Sequence, residues 1–404
     1  MCYAWFFQRK HSGPVLKGIF VLYNPQSDTK SVYIHWPFCP YRCHFCPFVA
    51  LAGHDQFMER YNKALCREIE GFLATYEGSC ELDTIFLGGG TPSTYPDNLL
   101  LDMSGTLRKT LILKEDGEFT IEINPGTVKK EQLKVWRTAG INRLSIGVQS
   151  LKDHVLQKLN RQQTAADVYR LFSYVSDQFS NISVDIILGL PGVSDEEWKQ
   201  LVRTVVTWPI THLSVYFLTV HENTQLYFKV QANRMELPSD DTMIDLYYWT
   251  IDYLQEHGFE QYELSNFAKP GYESKHNMVY WDRKPYKAFG LGASSFDGKN
   301  RFQNEKSLMR YLECVEKGTD TMTFCETVTP EQVHLEKLML GLRRRSGVKW
   351  AVALEDLSES KQQRFKGVVA SLKERELLRE HGDRLFLTRA GLVVENEILT
   401  QLAQ

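Results

Sequence analysis

Three cysteines stand in one short run, Cys39-Pro40-Tyr41-Arg42-Cys43-His44-Phe45-Cys46, spaced by three and two intervening residues. A single loop can wrap thiolates so spaced around three corners of an iron-sulfur cube. The local chain offers no fourth thiolate. An iron without a protein ligand can take the amino and carboxylate groups of S-adenosylmethionine (SAM), as catalytic metal sites keep one position open. A reduced low-potential cluster could then pass an electron to the sulfonium and split it. The competing reading is a zinc site completed by His35 or His44, although zinc ligands usually come as paired motifs. Pro37, Pro40 and Pro47 stiffen the loop and lower its unfolded-state entropy.

A second group lies at Leu87-Gly88-Gly89-Gly90-Thr91-Pro92-Ser93, where glycines would let the backbone approach a ligand. A tight strand-to-helix turn would also need glycine, so the run gains meaning only beside the cysteine loop, as a cradle for the SAM amino group. Glu122, Gln149, Arg161 and Asp185 are polar residues in or beside apolar strand patterns. Each reads either as a ligand contact or as a bonded barrel residue. His276-Asn277-Met278-Val279-Tyr280-Trp281 sits among Tyr262, Phe267, Tyr272, Tyr286 and Phe289. A lone histidine is usually structural, but this aromatic setting also suits a macrocycle.

The elements that must position these residues show in the periodicity. Short β-branched and aromatic runs at 31–36, 84–87, 119–124, 143–149, 183–188 and 212–220 alternate with helical patterns at 56–76, 96–109, 165–179 and 195–207. Six such units predict an α/β fold with a partial (β/α)6 barrel, whose ligands sit at the C-terminal ends of the strands. Period-two alternation puts Glu122, Gln149 and Asp185 on faces that share the barrel interior.

Beyond residue 225 the rhythm changes to a helix at 240–257, an aromatic loop region and a glycine-rich stretch at Phe289-Gly290-Leu291-Gly292-Ala293. Helices at 329–345 and 351–378, a hairpin at 377–387 turning at His381-Gly382-Asp383, and a last helix at 390–403 predict a winged-helix-like appendage. The expected division is an N-terminal arm at 1–30, a core barrel at 31–230, a barrel extension at 231–322 and a C-terminal domain at 323–404.

Composition sets limits. The 404 residues are 43% hydrophobic and 12% aromatic, enough for a large core. A net charge of −3 with both signs interspersed supplies no basic stripe for nucleic acid, so the C-terminal domain reads as a structural or docking module. No apolar run nears the roughly 18 residues of a membrane span. Eight scattered cysteines do not form a disulfide framework, which predicts a reducing compartment and cytoplasmic location.

Taken in order, the motifs resemble radical SAM proteins of the coproporphyrinogen-dehydrogenase type, and within that group its heme-chaperone branch. The resemblance rests on Tyr33-Ile-His35-Trp-Pro-Phe-Cys39, the cysteine trio, Gly88-Gly-Gly-Thr-Pro-Ser93, Ile121-Glu-Ile-Asn-Pro125, Ile146-Gly-Val-Gln-Ser150, Leu188-Gly-Leu-Pro191, Tyr262-Glu-Leu-Ser-Asn-Phe267 and His276-Asn-Met-Val-Tyr-Trp281. It implies a 4Fe-4S cluster on Cys39, Cys43 and Cys46. It further implies SAM sites, of which the group can hold two, lined by Tyr33, Gly89, Glu122 and Arg161 and by Phe45, Gly90, Thr91, Gln149 and Asp185. The dehydrogenases usually carry a further cysteine where this chain has Phe48, and the His-Asn-x-x-Tyr-Trp element looks like the chaperone branch, in which His276 is the candidate heme ligand. Trp36, Pro47 and the long N-terminal arm depart from the usual pattern.

The expected function is a heme chaperone with SAM-cleaving capacity, served by an electron donor and delivering heme to an acceptor such as a membrane respiratory protein, peripherally to the membrane. Oxidative decarboxylation of coproporphyrinogen III and radical SAM methyl transfer are the alternatives.

Overall fold

A computed structural model describes residues 29–74 and 80–403; most of the predicted N-terminal arm therefore lies outside the described residues. Six parallel strands run in chain order across one sheet: β1 (Ser31–Trp36), β2 (Cys80–Gly89), β3 (Leu111–Ile123), β4 (Arg143–Gln149), β5 (Asn181–Leu188) and β6 (His212–Phe217). Helices α1 (Met58–Leu73), α2 (Asp97–Arg108), α3 (Gln132–Thr138), α4 (Ala165–Val175) and α5 (Asp195–Val205) fill the connections. This is the partial α/β barrel that the alternating pattern predicts.

One strand face carries Val32, Ile34, Trp36, Ile85, Leu87, Ile121, Leu144, Ile146, Val184 and Ile186, all buried with the helices in one apolar core. Burial on this scale is the main favourable term in folding. Two helix starts are easy to trace to sequence: Thr164 with Asp167 and Ser194 with Glu197 form capping boxes that satisfy the first free N–H groups of α4 and α5.

The concave face is polar instead. Glu118 stands beside Thr84 and Thr120 beside Arg143, while Glu122, Ser145 and Ser183 follow one another across the ladder, with His212 next to Ser183. Each polar group there needs a partner, because an unpaired one costs about 1–3 kcal/mol when buried. Arg143 lies 3.7 Å from Glu118, and His212 bonds Ser183 at 2.7 Å and Tyr262 at 2.8 Å.

The extension completes the sheet. After α6 (Asp240–Glu256) come β7 (Glu260–Gln261) and β8 (Asn266–Ala268), which pair antiparallel beyond β6. At the opposite edge β9 (Lys287–Phe289) pairs parallel with β1. Strands of two and three residues carry too few alternations to be seen in sequence. Between β8 and β9, helix α7 (Lys275–Trp281) packs against β2, filling part of the concave side.

The C-terminal region has its own apolar core, built on helix α8 (Pro330–Arg343), the helix Glu359–Glu374 and a three-stranded wing. The hairpin pairs Leu378–His381 with Arg384–Leu387 across Gly382, whose positive φ of 59° suits the turn. Two expectations need correction. The helix expected over 351–378 is broken into Trp350–Ala353 and Glu359–Glu374, because Asp356 takes a left-handed φ of 59° and Ser358 caps a new start. The last helix is likewise divided at Val394 into Arg389–Val393 and Glu395–Leu402. Glu336 on α8 ties the region to the extension, receiving Arg283 at 2.6 Å and also Arg301, with all three side chains largely buried.

Two outcomes follow from these buried groups. Burial, aided by the Arg143 charge, holds His212 well below its usual range. The folded chain therefore keeps His212 neutral while the unfolded chain takes up a proton below about pH 6.5. Stability falls as pH drops from that point, and His212→Gln should flatten the decline in a pH series of thermal unfolding midpoints. Glu336→Ala would remove the carboxylate shared by two largely buried guanidinium groups, leaving Arg301 with Glu326 at 3.4 Å and Arg283 with Gly298 O at 3.4 Å, and should cost about 3–5 kcal/mol in denaturant unfolding.

Candidate SAM and cluster site

The chain turns from β1 straight into the cysteine loop. Phe38–Cys39 pairs with Leu51–Ala52, and the Leu51 N–H donates to Pro37 O at 2.8 Å, so the loop is closed at its base. Within it, the Arg42 guanidinium donates to Ala50 O and Phe48 O at 3.0 and 3.2 Å. From outside, the His44 N–H donates to Leu159 O at 2.9 Å, and Asn124 Nδ2 donates to the Tyr41 hydroxyl at 2.6 Å. The loop is thus tied to the ends of β1 and β3 and to the chain after β4.

The glycine run lies directly against it. Gly90 N donates to Trp36 O at 2.7 Å and Thr91 N to Phe38 O at 2.9 Å. A Cβ on Gly90 would fall 2.5 Å from Pro37 O, and one on Gly89, which has φ +122°, would fall 2.7 Å from Trp36 O. Only glycine allows this approach. Thr91 Oγ1 donates to Cys39 Sγ at 3.2 Å. Arg161 Nη1 reaches Cys43 Sγ at 3.8 Å while its Nη2 donates to Gly147 O at 2.6 Å. Cys39 is buried, and Cys43 and Cys46 are half-buried. Burial pushes the Cys39 thiol up to about 12 against the Thr91 hydrogen bond, and raises Cys46 in the same direction.

Among the described residues, no three His, Cys, Asp or Glu side chains gather closely enough to hold a single metal ion. A cubane instead spreads its thiolates over separate corners. Both histidines of the zinc alternative are engaged elsewhere. His35 Nε2 bonds Val49 O at 2.9 Å and its Nδ1 bonds the Tyr33 hydroxyl at 3.1 Å; His44 Nδ1 bonds Lys158 O at 3.0 Å.

The remaining expected residues converge on the strand ends. Glu122 Oε2 accepts the Gly89 N–H at 3.0 Å, and Ser145 Oγ donates to Asp185 Oδ2 at 3.1 Å. A Cβ on Gly147 would lie 2.9 Å from both Arg161 Nη2 and Gln149 Nε2, so these two side chains meet over that glycine. Gln149 arrives there through an irregular register between Gly147 and Gln149 and a left-handed φ of 64°, not through simple alternation. Phe45 packs with Val155, Leu159, Ile187, Leu190 and Leu226.

Four of these groups have polar atoms suited to a ligand. Glu122 Oε1, Gln149 Oε1, Asp185 Oδ1 and Arg161 Nε are buried atoms without a hydrogen-bond partner. Two carboxylates, an amide oxygen and a guanidinium match a zwitterionic amino acid with sugar hydroxyls. Burial also pushes the Glu122 carboxyl up to about 8 and raises Asp185. A bound cation would offset that desolvation.

Next to this mouth lies a cavity of about 130 Å³ lined by Tyr33, Phe48, Phe86, His276, Tyr280 and Tyr286, among others. His276 is 1% exposed, and both ring nitrogens are bonded, Nδ1 to the Thr84 hydroxyl at 2.7 Å and Nε2 to the Tyr280 hydroxyl at 2.9 Å. Glu118 accepts the Lys275 and His276 N–H groups at 3.0 and 3.1 Å and so holds the start of α7. Sequence reasoning missed Thr84 and Phe86 as site residues, although the alternation Thr84-Phe86-Gly88 puts them on the same concave face. It quoted Tyr280 only as part of a motif, although a spacing of four sets it over His276 on a helix.

Comparison with known proteins agrees with this fold. A family model described as the Radical SAM superfamily matches residues 33–205, and one described as the HemN C-terminal domain matches residues 328–394. Escherichia coli coproporphyrinogen III oxidase (HemN), a radical SAM enzyme, has the same fold, with a TM-score of 0.80 at 21% identity over 95% of this chain and 91% of that one. The fold is therefore that of a radical SAM protein, whose cofactors are a 4Fe-4S cluster and SAM. Heme chaperone HemW of Bacillus subtilis (strain 168) is 35% identical over 372 residues, 91% of this chain and 98% of that protein. HemW of Lactococcus lactis subsp. lactis (strain IL1403) is 31% identical over 91% of this chain and 96% of its own length. The chain belongs to the HemW family. The mouse mitochondrial radical S-adenosyl methionine domain-containing protein 1 is 34% identical over 66% of this chain and 60% of its own.

The close glycine contact gives a direct test. Gly90→Ala should lower iron content after anaerobic reconstitution and abolish the SAM-induced change in the cluster's magnetic-resonance signal, with far-ultraviolet circular dichroism unaltered.

Proposed function

We propose that this chain is a heme chaperone that holds heme beside a SAM-ligated 4Fe-4S cluster and passes it to an acceptor protein. The observation that carries this reading is the alignment with a heme chaperone over 98% of that protein's length. The aromatic cavity opening at the same mouth supports it, because a flat macrocycle stacks well on such rings.

In this reading Cys39, Cys43 and Cys46 hold the cluster. Glu122 and the Gly89–Gly90 backbone take the amino group of SAM, while Arg161, Gln149, Asp185, Thr91 and Tyr33 fix the rest of the molecule. Phe45 acts from beneath by packing the cysteine loop in place. When bound, the cluster and SAM supply one-electron cleavage of the sulfonium. His276 belongs to the cavity that would hold heme, whose wall Phe86 and Tyr286 share. Phe48 lines that cavity at the position where the dehydrogenases carry a cysteine, and a phenyl ring there adds stacking surface.

The acceptor in this proposal is a respiratory protein at the membrane, with delivery from the cytoplasmic side and a separate electron donor for the cluster. Among the described residues no helix is long and apolar enough to cross a membrane, so contact with a membrane acceptor would be peripheral.

The test is anaerobic reconstitution followed by heme titration, deoxyadenosine release and assay of coproporphyrinogen. The expected result is a saturable heme spectrum, weakened by His276→Ala, with no protoporphyrinogen formed. Turnover of coproporphyrinogen to protoporphyrinogen would sink the chaperone reading.

A further inference from the structure

Three consecutive arginines mark the end of helix α8, and two of them find a carboxylate. Arg343 donates to Glu395 at 2.6 Å in a buried pair, and Arg344 pairs with Asp282. Arg345, among the described residues, forms no ion pair and no side-chain hydrogen bond.

The backbone holds Arg345 in one place. Its N–H donates to Tyr262 O at 3.0 Å. Two residues on, Gly347 has φ +64°, and a Cβ there would fall 2.3 Å from Leu385 O, so the turn is pressed onto the wing hairpin. Arg384 of that hairpin donates to Ser346 O at 2.8 Å and Gly347 O at 3.1 Å. The same hairpin carries Arg379, whose guanidinium lies 5.4 Å from the centre of the Phe386 ring and, among the described residues, likewise forms no ion pair. Arg345 and Arg379 are neighbours: partial desolvation first, and the Arg379 charge second, hold Arg345 below the ordinary arginine range. Two like charges so placed repel each other unless an anion comes between them.

Both arginines line a cavity of about 370 Å³ between α6 and the wing, together with Arg389, Gln255 and Thr388. Asp252 lines it too, but its two oxygens are taken by Arg389, each at 2.9 Å. Three guanidinium groups against one carboxylate leave two positive charges unanswered. The donors reach the cavity from four segments: α6, the turn after α8, the hairpin, and the start of the helix Arg389–Val393. A carboxylate presents its two oxygens in one plane, whereas a phosphoryl group presents three oxygens in diverging directions and takes guanidinium groups two bonds at a time.

From this arrangement we propose that the cavity between α6 and the wing is a binding site for a phosphoryl group, with Arg345 and Arg379 as its ligands and Arg389 completing its positive wall. The group comes either as a free phosphate or phosphate ester, or on the headgroup of an anionic lipid. Its binding neutralises the arginine pair and joins the barrel extension to the C-terminal region. The site is separate from the cluster, SAM and aromatic cavities, and it stands whether or not the heme reading does.

The experiment uses the full chain with its cluster reconstituted anaerobically. Thermal unfolding midpoints are measured with inorganic phosphate, glycerol phosphate and succinate at matched ionic strength, and flotation is measured with phosphatidylcholine vesicles with and without phosphatidic acid. Phosphate or glycerol phosphate should raise the midpoint in a saturable way, while succinate should not. Arg345→Gln and Arg379→Gln should each weaken the response about tenfold. Without ligand at low salt, both variants should unfold at or above the wild-type midpoint, because one of two repelling charges is gone. Flotation that requires phosphatidic acid and is lost in the variants would assign the lipid source; soluble binding without flotation would assign the free one. No response to any of these probes, an equal response to succinate, or wild-type binding in both variants would overturn the proposal. So would a midpoint lowered in both unliganded variants, which would make the pair a structural contact.

Discussion

The barrel mouth depends on one backbone contact. Gly89 and Gly90 press against Trp36, Pro37 and Phe38 so closely that no side chain fits between them. This contact locks the end of β2 to the start of the cysteine loop, so that the thiolates and the Gly89 N–H keep a fixed relation. The Thr91–Cys39 and Gly89–Glu122 hydrogen bonds both follow from it. Trp36 adds rigidity from below, stacked on Tyr95 at 3.6 Å in the apolar core. A loop of 14 residues with three prolines would otherwise sample many conformations, and its ordering cost is met by these ties.

The concave face shows two kinds of buried polar group. Toward the N-terminal ends of the strands, His212 and Glu118 are bonded to neighbouring groups, and they act as structure. Toward the C-terminal ends, Glu122, Gln149, Asp185 and Arg161 each keep a buried atom without a protein partner.

Helix α7 sits where those two regions meet. Glu118 holds its start from the floor, while Tyr280 at its far end lies against the cavity. The element that makes the aromatic cavity is thus anchored to the barrel floor, not to the barrel mouth. Beyond it, Arg283 joins Glu336 of α8, so the winged region bears on the segment that follows this helix.

The sequence by itself determined the six parallel units, the cysteine spacing, the glycine run and the identity of the polar residues, because period-two alternation and ligand spacing are local properties. It placed β1 and β4 to the residue, and it recognised Glu122 and Asp185 as interior. It could not show β9 joining β1, nor the break after Ala353, since short strands and a single left-handed residue leave little pattern. The state of His276 was wholly a matter of tertiary structure. Its partner Thr84 lies 192 residues away, and whether an imidazole presents a lone pair or spends it on a hydroxyl depends on what the fold brings beside it.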